Sequence, residues 1–555
     1  MPDVVERGGA PVKNQPPEGS AAKRATSGAQ PTAMSGWQRF LLLVSVAICA
    51  ASGLVYELAL ISLSTSLNGG SIVETSLIVA GFVAALGLGA LLAKPLLRLP
   101  EFSFLMVEAA LGLLGGISAT VLYVVFAKLG ASLLVTVLAT LFIGSLVGTE
   151  LPLLMSMYQR GRLVDARSSG SALATLNVAD YVGALLGGLA WPFVLLPWLG
   201  LMRGTAASGL LNIVAALVIT LVVLRKFMPA WQVTTVTASL LASGAILIVL
   251  LMGSDGIVTT ARQQLYQDPV VYAEQTQYQD IVVTEWKGDR RLFLNGGLQY
   301  STRDEYRYTE SLVYPAVTDD SKNALIIGGG DGLAARELLR MPQIESITNV
   351  ELDPAMVRVA NTVLREDNRG AFQDTRVHVV TDDAFSWVRE GRGKAAAEAL
   401  VGGGKAVFDT VIVDLSDPDS DAMARLYSQE FYGMLLELVD PRKGQLVVQS
   451  GSAFTTPDVF NRVRSTLQTA GCRNVVPYHV HVPTFGDWGF NLCTQPGRKL
   501  QLPAQLPDLR FMDEDVLHAA GVFPKDNALK DLEPSTLDHP KIVEDLRRGY
   551  RQAGE

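Results

Sequence analysis

The chain has 555 residues, too many for one ordinary domain, and its composition is split. Residues 38–252 are almost wholly apolar and small, whereas 262–555 carry an ordinary globular mix. A net charge of −8 and a pI near 5.4 argue against a nucleic-acid partner, because phosphate binding needs a basic surface. The three cysteines (Cys49, Cys472, Cys493) make no disulfide framework, and the five histidines are too scattered for a metal centre.

Residues 1–36 are rich in Pro, Gly, Ala and Ser without hydrophobic periodicity and read as a disordered cytoplasmic tail. The first apolar run is too long to be a cleavable signal. A helix needs about 20 apolar residues to cross a bilayer. Seven segments qualify: 38–58, 72–93, 104–127, 133–157, 170–199, 205–224 and 232–252. They make 37–255 a multi-pass transmembrane domain in a cell membrane, with lipid as its surroundings. Lys94, Arg98, Arg160, Arg162, Arg167, Arg225 and Lys226 fall on the same side as the tail, and only Lys128 and Arg203 on the other. That bias places the N-terminus in the cytoplasm.

Three pairs of segments match in order: 54–61 with 146–154, 79–91 with 178–190, and 109–121 with 206–218. Three helices are an odd number, so the second copy would be inverted, which is a transporter architecture. The spans also carry Glu57, Glu108, Glu150 and Asp180. A charge at mid-membrane costs roughly 2.5–3.5 kcal/mol on insertion scales, so such groups face a cavity or a partner. Glu57 and Glu150 hold equivalent repeat positions. They are read either as packing groups or as a cation site between the repeats.

In the soluble half, "NALIIGGGDGLAARELLRM" (323–341) reads as strand, glycine loop and helix, with backbone free to approach a ligand at a helix N-terminus. A second strand ends at Glu351, placed to accept from ribose hydroxyls. A third ends in Asp382, Asp383 and Ala384, where a carboxylate could receive an adenine amino group. The fourth runs into "DLSDPDSD" (414–421), which gathers Asp414, Asp417, Asp419 and Asp421. One such acid could simply cap a helix. Several in succession outline a nucleoside pocket at the carboxyl edge of a parallel sheet. No phosphate-loop lysine follows the glycines, so an adenosine with a sulfur substituent fits better than a triphosphate.

The stretches "YQDIVV" (278–283), "RLFLNGGLQYSTRDEYRYTESLVYPAV" (291–317), "GGGDG" (328–332), "VELDP" (350–354), "DDAF" (382–385), "DLSDP" (414–418) and "VPTFGDWGF" (482–490) resemble the spermidine synthase, or polyamine aminopropyltransferase, family. The resemblance implies a small β-domain over 262–320 and a Rossmann-like, methyltransferase-type α/β domain over 321–555. It also implies a homo-oligomer, and decarboxylated S-adenosylmethionine as co-substrate with no other cofactor and no metal. By that likeness Gln279, Asp331, Glu351, Asp383 and Ala384 hold the donor, Asp414 accepts the proton, and Tyr308, Thr309, Asp331 and Asp417 hold the polyamine.

The chain departs from the family pattern at Asn295, Thr309, Phe485 and Asp421, and it lacks an acid around Ser450–Gly451. The donor pocket reads as intact and the acceptor pocket as altered, with putrescine the expected acceptor. A methyltransferase and a membrane polyamine transporter or sensor stand as the other readings. Seven spans with the N-terminus inside would put 262–555 outside, although the donor nucleoside is made in the cytoplasm. The stretch 390–407 reads as a flexible insertion.

Overall fold

A computed structural model of the chain describes residues 36–68, 72–129, 133–159, 169–401 and 407–554. Residues 1–35 of the expected 1–36 tail, and the Arg160, Arg162 and Arg167 loop, lie outside the described residues. Among those described, the apolar half forms α1 (Gly36–Asn68), α2 (Ile72–Leu92), α3 (Pro100–Leu129), α4 (Leu133–Gln159), α5 (Ser169–Ala190), α6 (Leu196–Val218) and α7 (Ala230–Leu265). Among the described residues, six helical runs are long and apolar enough to cross a membrane. The fifth, Ala174–Phe227, is 54 residues long, and that much helix measures about 80 Å. It does not run straight. Gly200, at φ 72°, breaks the helix, and the chain folds back there.

Residue pairings fix the directions. Gly183 and Gly187 of α5 lie against Ala47 and Ala51 of α1, so these helices run parallel. The Gln38 side chain donates to Val222 O, and Ser52 Oγ to Ser208 O, so α6 is antiparallel to α1. Gly144 and Gly148 of α4 press on Phe82, Ala85 and Leu86 of α2, again parallel. Phe102 lies against Trp231 with the rings tilted, while Gly116 meets Leu247, which makes α3 and α7 parallel. The seven helices therefore alternate in direction, and Gly36 and Leu265 lie at opposite ends of the bundle. Small residues sit at these crossings because lipid tails give helices no hydrophobic reason to associate, so close backbone packing has to hold them together.

α7 continues to Leu265, beyond the expected boundary, and leads to an antiparallel sheet of β1 (Val270–Gln275), β2 (Asp280–Trp286), β3 (Asp289–Leu294) and β4 (Gly297–Ser301) in that order. Asn295 and Gly296 both have positive φ, the pattern of a tight hairpin turn, and Asn295 Oδ1 accepts from Asp280 N at 2.9 Å. The family departure at Asn295 thus has a structural use. Next come α8 (Glu305–Val313), β5 (Asn323–Gly328), α9 (Leu333–Leu339), β6 (Ser346–Glu351), α10 (Pro354–Asn361), β7 (Val377–Thr381), α11 (Ala384–Arg389), α12 (Arg392–Val401) and β8 (Thr410–Asp414). The chain ends with α13 (Asp421–Ala424), α14 (Gln429–Leu436), β9 (Gln445–Ser452), α15 (Pro457–Thr469), β10 (Val475–Val482), β11 (Gly486–Cys493), α16 (Glu514–Ala520) and α17 (Lys541–Ala553).

The second sheet has the order β10-β11-β9-β8-β5-β6-β7, with β9, β8, β5, β6 and β7 parallel and β11 and β10 antiparallel at one edge. Ala324, Leu325, Ile326 and Ile327 are all fully buried, as expected of a parallel strand covered on both faces. Each large side chain among them contributes roughly 1.5–3 kcal/mol by leaving water.

Two expectations need correction here. Residues 392–401 are not a flexible insertion: they form α12, with Ala397 buried and Gly393 against Trp387 and Leu438. The rest of that stretch, 402–406, lies outside the described residues. Cys472 and Cys493 form a disulfide, because the antiparallel pairing of β10 and β11 sets Val475 opposite Cys493 and brings Cys472 alongside. Their separation of 21 residues gave no hint of that pairing.

Candidate active site

The carboxyl ends of β5, β6, β7 and β8 converge where strand order reverses between β5 and β8, the crevice in which open α/β sheets bind ligands. The glycine loop leaves β5 there. Gly329 N donates to Asp414 O at 2.9 Å, and Asn349 Nδ2 donates to Gly328 O at 2.6 Å, so both neighbouring strands brace the loop. A Cβ on Gly330 would fall 2.5 Å from Glu351 Oε2, so only glycine lets the loop pass this close to the acid. Asp331 turns its Oδ1 to Leu333 N at 2.9 Å, and its carbonyl accepts from Asn368 Nδ2 at 2.8 Å.

Glu351 Oε1 accepts from Asp353 N at 2.9 Å, and Asp353 Oδ2 accepts from Gln279 Nε2 at 3.1 Å. Gln279 therefore reaches the end of β6 from the small sheet and closes one flank of the crevice. On the other flank, Tyr308 Oη donates to Asp414 Oδ1 at 2.6 Å. Phe485 packs edge-on against the Tyr308 ring with centroids 5.9 Å apart, so it positions that tyrosine.

Asp417 lies beyond Asp414. Its Oδ2 accepts from Tyr550 Oη at 2.7 Å, while its buried Oδ1 accepts no hydrogen bond. Tyr550 belongs to α17, which Arg547 also ties to the cluster through Asp419 O at 3.3 Å. Sequence reading missed Tyr550. The signal was present: Ile542, Leu546 and Tyr550 recur at i, i+4 and i+8, so the tyrosine lies on the buried face of an amphipathic helix.

These acids are costly to ionise where they sit. Burial pushes Asp331 up to about 7, with the nearby Asp414 carboxylate adding to the shift. Burial likewise lifts Glu351 to about 7. Asp414 rises to about 6 through burial, held back by the Tyr308 hydrogen bond. Asp417 rises to about 6 by burial, against the Tyr550 hydroxyl. Among the described residues no Lys or Arg forms a salt bridge with any of the four. The crevice is an anionic receptor short of positive charge.

Thr309, Asp383 and Ala384 have local structural contacts of their own. Thr309 is buried with its hydroxyl against Glu305 O and Oε2, at 2.5 and 2.7 Å, and does not line the crevice. Asp383 caps α11, accepting from Ser386 N at 2.8 Å, and its other oxygen meets Arg425. In this arrangement it acts as a helix cap and ion-pair partner, and Ala384 is the buried first residue behind it. Asp421 is exposed in the first turn of α13, so it is not the substitution that shapes the crevice.

Residues 305–500 match the family model described as the spermine/spermidine synthase domain. A polyamine aminopropyltransferase of Corynebacterium efficiens is 64% identical over 526 residues, covering 95% of this chain and 99% of that protein. One of Mycobacterium tuberculosis is 54% identical over 517 residues, covering 92% and 97%. The chain belongs to the polyamine aminopropyltransferase family. Among solved structures, a spermidine synthase in complex with the transition-state analogue AdoDATO is 23% identical, with a TM-score of 0.40, covering 46% of this chain and 86% of that one. The coverage of the two relatives extends over the apolar helices, so the fused membrane half is shared with them. Membership of an aminopropyltransferase family makes this chain a transferase of polyamine biosynthesis and sets the methyltransferase reading aside.

Proposed function

We propose that the chain transfers the aminopropyl group of decarboxylated S-adenosylmethionine to putrescine, yielding spermidine and methylthioadenosine. The observation that carries this reading is the Tyr308–Asp414 hydrogen bond of 2.6 Å beside a second carboxyl, Asp331, whose ionisation the Asp414 charge resists. A diamine dication entering the crevice relieves that repulsion and draws the acids into their charged forms.

Gln279, Asp331 and Glu351 hold the donor, with Asp331 on its ammonium and Glu351 on the ribose, and Asp383 and Ala384 border the adenine. Tyr308 and Asp414 meet the attacking amine, while Asp417, oriented by Tyr550, takes the far ammonium. The amine loses a proton to Asp414 as its nitrogen bonds the carbon next to the sulfonium. The carbon–sulfur bond breaks, its electron pair stays on sulfur, and a neutral thioether leaves. Because the sulfonium supplies its own leaving group, the co-substrate suffices without a cofactor or metal. Aligning nitrogen, carbon and sulfur supplies much of the acceleration. The apolar bundle sits in a cell membrane with lipid around it, and the soluble half works as a homo-oligomer.

The test is methylthioadenosine release by the purified full chain given donor and putrescine. Release that depends on the amine, with spermidine formed in equal amount, is expected. Release without amine, or spermidine formation that persists undiminished in Asp414→Asn, would overturn the reading. Because Gly36 and Leu265 lie at opposite ends of the bundle, reporters fused at the N-terminus and after Glu555 are expected in opposite compartments.

A further inference from the structure

The family match ends at residue 500, yet the chain continues and sends α17 back to the crevice. Ile542 and Leu546 of this helix are buried in the same core as Val413 of β8 and Val459 of α15. Asp545 is buried and paired with Arg462 of α15, and Arg548 reaches Asp545 at 3.1 Å and Asp458 at 3.3 Å. The last helix is therefore a docked part of the soluble half.

Gly549 sets how near that helix comes. A Cβ there would fall 2.8 Å from Thr456 Cγ2 and 3.0 Å from Thr455 O, so only glycine lets α17 lie flush on the loop after β9. The next residue is Tyr550, whose Oη donates to Asp417 Oδ2 at 2.7 Å. Arg547, one turn earlier on the same face, donates from Nη2 to Asp419 O at 3.3 Å. Asp419 N in turn donates to Asp417 O at 2.8 Å, so the tyrosine and the arginine close on one tight turn.

Asp417 keeps one oxygen open. Its Oδ1 is buried without a hydrogen-bond partner. Gly451, at φ 68°, stands beside it, and a Cβ there would lie 3.7 Å from that oxygen. With Tyr550 on one oxygen and the other uncovered, Asp417 suits a single ammonium group.

We propose that α17 is the end wall of the acceptor site, and that Tyr550 and Arg547 restrict the acceptor to a diamine. The inference rests on the aminopropyl-transfer reading and deepens it. Asp414 takes the attacking nitrogen and Asp417 the second, so two acids match two positive charges. A triamine such as spermidine carries a further aminopropyl arm. That arm would have to displace the Tyr550 ring and leave its third ammonium beside the Arg547 guanidinium. Specificity of this kind comes from a clash and an unpaired charge built against the wrong amine. It also stops the product from returning as an acceptor.

The experiment measures methylthioadenosine release by the full chain with putrescine and with spermidine, and takes the ratio of the two kcat/KM values. That ratio cancels the fraction of folded enzyme, so a variant that merely destabilises the chain leaves it unchanged. The wild type should favour putrescine by roughly tenfold or more. Tyr550→Ala should move the ratio toward spermidine by about tenfold, and Arg547→Gln should move it the same way by less. Tyr550→Phe keeps the ring and weakens both amines alike, so its ratio should stay near that of the wild type. Equal use of both amines by the wild type, a ratio that neither Tyr550→Ala nor Arg547→Gln moves, or a Tyr550→Phe ratio as relaxed as that of Tyr550→Ala would each overturn the inference while the transfer reading stands. No release with any amine would overturn the transfer reading, and this inference with it.

Discussion

Both halves of this molecule bury carboxylates without basic partners, but they do so in different surroundings. In the soluble half, Asp331, Glu351 and Asp414 stand at the ends of neighbouring parallel strands, where loops diverge and leave a crevice open to a ligand. In the bundle, Glu108 and Glu150 sit in the middle of helices, enclosed by other helices. A strand end offers its acids to whatever enters. A helix interior lets in only something as small as the gap between helices. The same unfavourable burial therefore leaves room for a ligand in one half and very little in the other.

The strongest way to break this comparison is to remove one acid from each half and measure transfer. Asp414→Asn should lower kcat by about 100-fold or more, the usual contribution of a positioned proton acceptor. Glu57→Gln, whose side chain takes part in neither cluster, should leave it unchanged. Equal losses in the two would mean that the membrane half shapes the reaction. Next in size is Tyr550→Phe. It deletes one hydrogen bond to a charged group, worth about 1.5–3 kcal/mol, so KM for putrescine should rise by roughly tenfold or more while kcat holds. A fall confined to kcat would place Tyr550 elsewhere in the cycle.

Smaller effects follow from the raised acids. As pH falls through about 7 and then about 6, Asp331, Glu351, Asp414 and Asp417 take up protons and lose their attraction for the amine. The profile of kcat/KM should therefore fall on its acid side more steeply than one proton allows. Stability moves the other way. Asp331 titrates near 7 in the folded chain, against about 4 unfolded, so its contribution is complete below about 4 and is lost as pH rises through about 7. Asp331→Asn without substrates should match the wild type in melting temperature at pH 4 and exceed it by a few degrees at pH 8. A variant that melts lower at pH 8 would show that the acid is paired.

Much of the soluble site was legible because strand, glycine loop and helix follow one another with an acid at each strand end. The same spacing does not reveal the local partners at two positions. Thr309 follows Tyr308 on α8, and successive helical residues point about 100° apart, so a tyrosine facing the crevice turns the threonine toward Glu305. Asp383, read as an adenine ligand, also caps α11 and pairs with Arg425, contacts that its place at a strand end does not reveal. Tyr550 was hidden by distance, since 133 residues separate it from Asp417. In the membrane half, length and hydropathy gave the helices, and the fold-back inside the 54-residue run rests on Gly200. The meeting of Glu108 with Asn212 depends on helix packing, which small apolar repeats do not encode in an obvious way.

The four-aspartate stretch after β8 carries the central claim, that Asp414 accepts the proton and Asp417 holds the far ammonium. Putrescine saturation curves for Asp417→Asn and Asp414→Asn test it directly. Asp417→Asn should raise KM by about tenfold or more and keep kcat within a few-fold, whereas Asp414→Asn should collapse kcat. If both variants lose kcat alike, or if Asp417→Asn leaves KM unmoved, that division of roles is contradicted.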